Sequence, residues 1–281
     1  MESKSISPLY AVVVWYNPGK KEAEAVTLYS PYVEKVVVVD NSENDNSHLL
    51  NRIDNAIYLP QHNNSGIAAA LNTGCEYVYK AGGEWVLTMD QDSRWDQTPF
   101  ETYIKTAEQY DEFDKVAIFC PFHDTDGEPL KHQRHHHKED YEICRIVICS
   151  GNLLRLKAWK EAGGFREDFF IDCVDDEICC HLRKNGWRIM SLNRIILTHT
   201  LGNGITKVPI LGHSYTSHTA WRYFYIARNI RRMMRLYPDM RPYYRSEVRK
   251  HLKRLWLYDW DNKFGKLRQF HRGWFAQRQD R

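Results

Sequence analysis

Two carboxylates one residue apart, Asp90-Gln91-Asp92, follow directly on the apolar run Trp85-Val86-Leu87-Thr88-Met89. At the end of a buried strand, such a pair can face a single site. Hard divalent cations take oxygen ligands, and a diphosphate carried by Mg2+ or Mn2+ needs only one or two protein carboxylates. The plain alternative is a solvated turn, since Asp is a frequent turn former. A second acidic group, Asp172-Cys173-Val174-Asp175-Asp176-Glu177, holds four carboxylates within six residues. Like charges this close repel, so a cation or raised pKa values must compensate. A helix N-terminus would account for Asp176 and Glu177. Asp172 and Asp175 flank Phe169-Phe170-Ile171 and Val174 instead, where a carboxylate can be tuned as a general base.

Three smaller constellations add polar groups. Asp40, in Val39-Asp40-Asn41-Ser42, can accept from a base N–H or a ribose hydroxyl, or simply cap a turn near Ser47. Asn64-Ser65-Gly66, followed by Ala68-Ala69-Ala70 and Asn72, offers small residues at a helix start, where a ligand can approach closely. Ordinary packing of an Ala-rich helix on a sheet reads equally well. His199 in Thr198-His199-Thr200-Leu201-Gly202 can hold a metal or phosphate, or be structural. His132, His135, His136 and His137 form a second histidine group, but their spacing in a polar loop fits no usual ligand geometry.

The elements that must position these groups follow from apolar runs and breakers. Strands are expected at Tyr10 to Trp15, Val36 to Val39, Ile57 to Pro60, Trp85 to Met89, Val116 to Cys120 and Ile143 to Ile148. Two more short strands are expected, Trp187 to Leu192 and Ile195 to Thr200. Helices are expected from about Lys20 to Ser30, Ile67 to Ala81, Phe100 to Asp111, Leu156 to Ala162 and Asp175 to Asn185. Residues 202–214 read as a Gly-containing loop. Beyond Thr219 the chain reads as mostly helical, broken at Pro238 and Pro242. Runs of β-branched residues without alternation suit strands buried on both faces, and the β-α-β-α-β order argues for a doubly wound α/β sheet. The polar clusters fall at the carboxyl ends of the expected strands, the edge where open α/β sheets bind ligands.

Composition is that of a folded chain: 281 residues, 43% hydrophobic and 27% charged. Seven cysteines without a CxxC pair argue against a disulfide framework or zinc knuckle and suit a reducing, cytoplasmic setting. The N-terminus lacks a signal-peptide pattern, and no run of about 18 apolar residues predicts a membrane span. Charge is unevenly spread. Residues 221–281 carry 17 Lys/Arg against 5 Asp/Glu, leaving 22 against 31 for the rest of the chain. The division expected is therefore a catalytic body, 1–218, and a basic, aromatic-rich helical segment, 219–281. In that segment Arg231-Arg232, Arg235, Arg249-Lys250 and Lys253-Arg254 interleave with Trp256, Tyr258, Trp260 and Trp274. Such a segment can lie on an anionic membrane, here the inner face of the cytoplasmic membrane. Nucleic acid is the rival partner, and a solvated helical face the bland one.

Taken in order, these segments resemble inverting family 2 glycosyltransferases of the GT-A type, and within them the rhamnosyltransferase-like members. The resemblance covers roughly residues 9 to 235. It rests on Tyr16-Asn17-Pro18, Val39-Asp40-Asn41-Ser42, the run from Asn64 to Gly74, Met89-Asp90-Gln91-Asp92-Ser93, Ser150-Gly151-Asn152-Leu153, the run from Gly163 to Asp172, Val174-Asp175-Asp176-Glu177, His199-Thr200-Leu201-Gly202 and Arg228-Asn229. It implies a GT-A, Rossmann-like, doubly wound mixed sheet with a helical C-terminal extension. It also implies a nucleotide site of Tyr16, Asp40, Asn41, Gly66, Asn72 and Asp90, and a metal (Mg2+ or Mn2+) on Asp92 and His199. Asp175 would be the base, with Ser150, Gly151, Asp172 and Asp176 around the acceptor or sugar. The implied donor is dTDP-rhamnose or a UDP-sugar, and the implied acceptor a glycan or lipid-linked glycan. The sequence departs from the pattern at His181, where family members usually carry Arg; Arg183 follows two residues on. The competing readings are a catalytically degenerate, transferase-like binding protein and a nucleic-acid binder acting through 221–281; nucleic acid is disfavoured. A dehydrogenase is disfavoured too, because no GxGxxG follows the first strand.

Overall fold

The computed structural model describes residues 4–125, 128–129, 139–199, 205–208, 213–216 and 218–276. Its elements in chain order are β1 (Leu9–Trp15), α1 (Lys20–Thr27), β2 (Val36–Asp40), β3 (Ala56–Pro60), α2 (Ile67–Lys80), β4 (Trp85–Asp90), β5 (Ser93–Arg94), α3 (Phe100–Glu108), β6 (Val116–Thr125) and β7 (Glu128–Pro129). The chain continues through β8 (Tyr141–Ile143), β9 (Asn152–Arg155), α4 (Leu156–Glu161), α5 (Val174–Lys184), β10 (Arg188–His199), β11 (Ile205–Val208) and β12 (His213–Thr216), then α6 (Ala220–Leu236), α7 (Arg241–Leu257) and α8 (Lys263–Phe275).

The main path of the large sheet runs β3-β2-β1-β4-β9-β6-β10-β5. β1, β2, β3 and β4 pair in parallel. β9 lies antiparallel between β4 and β6, and β10 runs parallel to β6. The carboxyl ends of β1, β2, β4, β6 and β10 therefore share one edge with the start of β9. Because β1 is covered on both sides, its residues alternate between two cores. Val12 packs with Ala68, Leu71, Val78 and the C-terminal helices; Ala11, Val13 and Trp15 pack with Val26, Phe100 and Tyr103. The cores therefore lie on the two faces of a mixed, doubly wound α/β sheet.

Several local expectations are corrected. The strand expected at Ile143 to Ile148 forms only as Tyr141–Ile143, paired antiparallel to β10. The central strand is instead Asn152–Arg155, whose four residues are too few to show a pattern but pair along their whole length with β4 and through Leu153 and Leu154 with β6. The two strands expected over 187–200 are one, β10, with an irregularity between Leu192 and Ile196. The stretch expected as a loop at 202–214 contains paired strand segments, β11 and β12. Pro242 does not break a helix; it lies in the first turn of α7, where its missing N–H costs no intrahelical bond. Residues 132, 135, 136 and 137 lie outside the described residues.

The helices after 219 do not stand apart from the sheet. Tyr223, Ile226, Ala227, Ile230 and Met233 of α6, Tyr244 and Leu255 of α7 and Phe270 of α8 are buried in the same core as Val12 and Ala68.

Candidate active site

The shared edge carries a cavity of about 590 Å3, lined among others by Tyr16, Ile67, Asp90, Gln91, Asp92 and His199. Asp90 ends β4, and Asp92 follows it. His199 ends β10, where its register partner is Ser93 of β5. One ligand atom from each of Asp90, Asp92 and His199 lies within 4.8 Å of the others. His199 Nδ1 is 3.9 Å from Asp92 Oδ1 and 2.7 Å from Ser93 Oγ. Ser150, at the turn into β9, donates to Ser93 Oγ at 2.6 Å and accepts from the Asp90 N–H at 3.1 Å. A ladder of two serines thus joins the ends of β4 and β10 and fixes the imidazole.

Burial raises the Asp90 carboxyl, opposed by His199. Burial and the Asp90 charge raise Asp92 to about 6. Two carboxylates and an imidazole converging in this state form a hard, oxygen-rich donor set. A divalent cation fits it, since a cation would relieve both repulsion and desolvation.

The second acidic cluster is sorted by its partners. Asp172 pairs with Arg222 at 3.0 Å, Asp176 accepts from Tyr244 Oη at 2.8 Å and Glu177 accepts from Tyr237 Oη at 2.7 Å. Burial raises Asp176 to about 6, with Tyr244 opposing. Asp175 has Cys149 as its hydrogen-bonding neighbour instead. Burial, then the Asp90 charge, raise it to about 7, and hydrogen bonding from Cys149 opposes this. A carboxylate with that pKa can take a proton near neutrality.

The turn before α5 is strained. Phe170, Asp172 and Cys173 all have positive φ without being glycine. Asn229 of α6 clamps it, with Nδ2 lying 2.8 Å from the carbonyl oxygens of Phe169, Ile171 and Asp172. Arg228 adds a bond to Asp168 O at 2.6 Å. Gly66 meets this turn from the other side: a Cβ there would stand 2.5 Å from Phe170 Cδ2, and its φ is +89°. The glycine is needed for close approach as much as for its backbone angle.

Not every expected residue reaches the cavity. Tyr16 does, held by two bonds to Gln91. Asp40 is fully buried and accepts from Ser42 N–H, Asn46 Nδ2 and Tyr58 Oη, which fix its own loop. Asn41 ties Gly66 O to Ser65, just behind the cavity. Asn72 lies farther along α2 and bonds Phe165 and Glu167. Gly151 is packed against Pro121 and Leu197. The residues that sequence reasoning missed come from the C-terminal part: His218, Arg222, Glu247, Lys250, His251 and Arg254 line the same cavity. The spacing of Glu247, Lys250, His251 and Arg254 along one helical face was the available signal. His123 also belongs to this region, its Nε2 lying 2.7 Å from Ser150 O. His218 and His251 are held neutral, lowered to about 4 and about 3 by burial and by neighbouring arginines.

Comparison with known proteins adds the following. The family described as Glycosyl transferase family 2 matches residues 22–173. The dTDP-rhamnosyl transferase RfbF of Shigella flexneri is 29% identical over 248 residues, covering 79% of this chain and 78% of the relative. Among solved structures, S. aureus TarS superposes with a TM-score of 0.55 at 16% identity over 69% of this chain, which spans only 36% of that one. A shorter TarS structure, residues 1–349, gives 0.55 at 14% identity, covering 94% and 80%. GalNAc-T7 with UDP, GalNAc and Mn2+ gives 0.55 at 13% identity, covering 79% and 50%. At these identities the structural likenesses speak for the fold, a GT-A sheet with C-terminal helices.

Proposed function

We propose that this chain, which belongs to glycosyl transferase family 2, moves a sugar from a nucleotide-diphosphate donor to a hydroxyl of a glycan or lipid-linked glycan, with inversion. The observation that carries the reading is the meeting of Asp90, Asp92 and His199 at one cavity with Asp175 close enough to feel the Asp90 charge. The curated relative supports a rhamnosyltransferase-like donor, dTDP-rhamnose, with a UDP-sugar as the alternative.

Asp90, Asp92 and His199 would hold Mg2+ or Mn2+, which supplies charge stabilisation for the departing diphosphate. Asp175 takes the proton from the acceptor hydroxyl as the hydroxyl oxygen attacks the anomeric carbon. The bond from that carbon to the diphosphate oxygen breaks on the opposite side, so a single carboxylate serves and no sugar–enzyme bond forms. Tyr16 and Gln91, at the rim, support the nucleoside end.

The test is thermal stability against dTDP, UDP, GDP and CDP, each with Mn2+ and then with EDTA. A nucleotide present at 100 times its Kd raises stability by about 2.7 kcal/mol, an easily read shift. A Mn2+-dependent shift with dTDP or UDP is expected. Absence of any nucleotide shift would favour a degenerate, transferase-like binding protein.

A further inference from the structure

The outer side of the C-terminal helices carries a second concavity, about 510 Å3, away from the catalytic cavity. Arg231 and Arg235 of α6 face Arg241, Arg245 and Arg249 of α7 across it, with Met234, Val248 and Trp274 as its apolar lining. Arg241, Arg245 and Arg249 are four residues apart, so they stack on one side of α7. Unrelieved like charges at that spacing destabilise a helix. No carboxylate among the described residues pairs with any of the five. Arg231 is bonded to the Trp274 carbonyl and Arg241 to the Met234 carbonyl. Arg235, Arg245 and Arg249 are exposed.

Two helical turns beyond Arg249, the same side of α7 ends in a cluster of exposed apolar groups. Trp256 is 60% exposed, Leu257 52%, Trp260 70% and, at the start of α8, Phe264 83%. Lys263 Nζ sits 4.7 Å from the Trp256 ring and 4.2 Å from the Trp260 ring. Asp261 at this corner lies 3.6 Å from Lys266 Nζ. Large apolar side chains concentrated at one exposed corner signal a partner, and tryptophans beside a lysine suit the headgroup layer of a bilayer. From Arg241 to Trp256 the stripe is about 22 Å long.

We propose that this face is a binding surface for anionic phospholipid: the arginine groove takes lipid phosphates, and the Trp256–Phe264 corner enters the interface. A polynucleotide would use the arginines but has no use for Leu257 and Phe264. It would also run along a chain whose remaining residues are net acidic. The surface stands on its own charges and aromatics and does not depend on the transferase reading.

The experiment is flotation of the full chain with phosphatidylcholine vesicles, with and without phosphatidylglycerol, at low and high salt. Binding only to the phosphatidylglycerol vesicles is expected, falling with salt. Loss of affinity should be about fivefold per arginine in Arg245→Ala and Arg249→Ala, since each basic residue near an anionic surface adds about that factor. Arg245→Lys should retain most of the binding, and Trp256→Ala with Trp260→Ala should weaken what remains at high salt. The same samples are checked for thermal midpoint and for transfer to a soluble acceptor, so loss of folding or of catalysis reads separately from loss of vesicles. A chain that ignores phosphatidylglycerol vesicles, or binds a DNA oligonucleotide and no vesicle, overturns the proposal.

Discussion

Asp175 illustrates how a side chain's surroundings decide when it can act. Its carboxyl, raised to about 7 from 3.8, is protonated through the mildly acidic range. Transfer should therefore rise with pH and level off above about 7; a profile flat across that range would remove Asp175 as the base. Asp175→Asn should keep nucleotide binding and lose transfer by about 10²–10⁴-fold. Near-normal turnover in single-turnover assays would sink the assignment. The same burial has a stability consequence. Between about 4 and 7 the folded state holds the proton more tightly than the unfolded one, so this carboxyl favours folding in acid and loses that contribution as pH rises. Urea unfolding should show Asp175→Asn more stable than the parent above pH 7, with the gap closing near pH 4. A parent at least as stable as the variant at high pH would mean the charge is compensated in a way these contacts do not show.

At the scale of elements, the strained turn between Phe169 and Cys173 couples α6 to α5. Three left-handed residues in four positions are costly and persist only where the surroundings over-determine them. Asn229 supplies that determination from a fully buried position. Asn229→Ala leaves three buried or half-buried carbonyls short of a donor, and about 1–3 kcal/mol of stability should go with it in urea unfolding. The transfer rate should fall as well, because the turn leads directly into Asp175. A variant equally stable and equally active would show that the turn holds itself. The Arg228-Asn229 pair was visible in the sequence as part of a familiar pattern. Its task was not, because nothing along the chain shows that α6 returns across the entrance of α5. β9 was hidden for a related reason: Asn152–Arg155 is stabilised by neighbours on both sides and needs no pattern of its own.

For the whole molecule, the balance of charge turns basic from residue 221 onward, and the buried side chains of α6, α7 and α8 complete the core against α2 and the sheet. The buried Lys266–Asp259 pair, 2.7 Å apart, belongs to the same packing. A chain ended at residue 218 should expose that core and fail to give a cooperative thermal transition. A sharp transition from residues 1–218 would show that the helices are dispensable for folding. The same helices give Arg222, Lys250, His251 and Arg254 to the cavity that Asp90, Asp92 and His199 line, so truncation would also remove one wall of it. No helix among the described residues is long and apolar enough to cross a membrane.

The sequence by itself determined the parallel strands β1 to β4, because runs such as Val36–Asp40 are buried on both faces and carry their signal in composition alone. The resemblance carried by the ordered motifs put Asp92 and His199 on one metal and Asp90 at the nucleotide; the structure brings Asp90 to the same point as the other two. Only the tertiary structure decided that Ser93 and Ser150 bridge Asp90 to His199, that Asp40 is held by its own loop and Asn72 by Phe165 and Glu167, and that five arginines from two helices share one groove. Those outcomes depend on which elements become neighbours. Neighbours are chosen by the packing of the whole core, whose contacts join residues far apart in the chain.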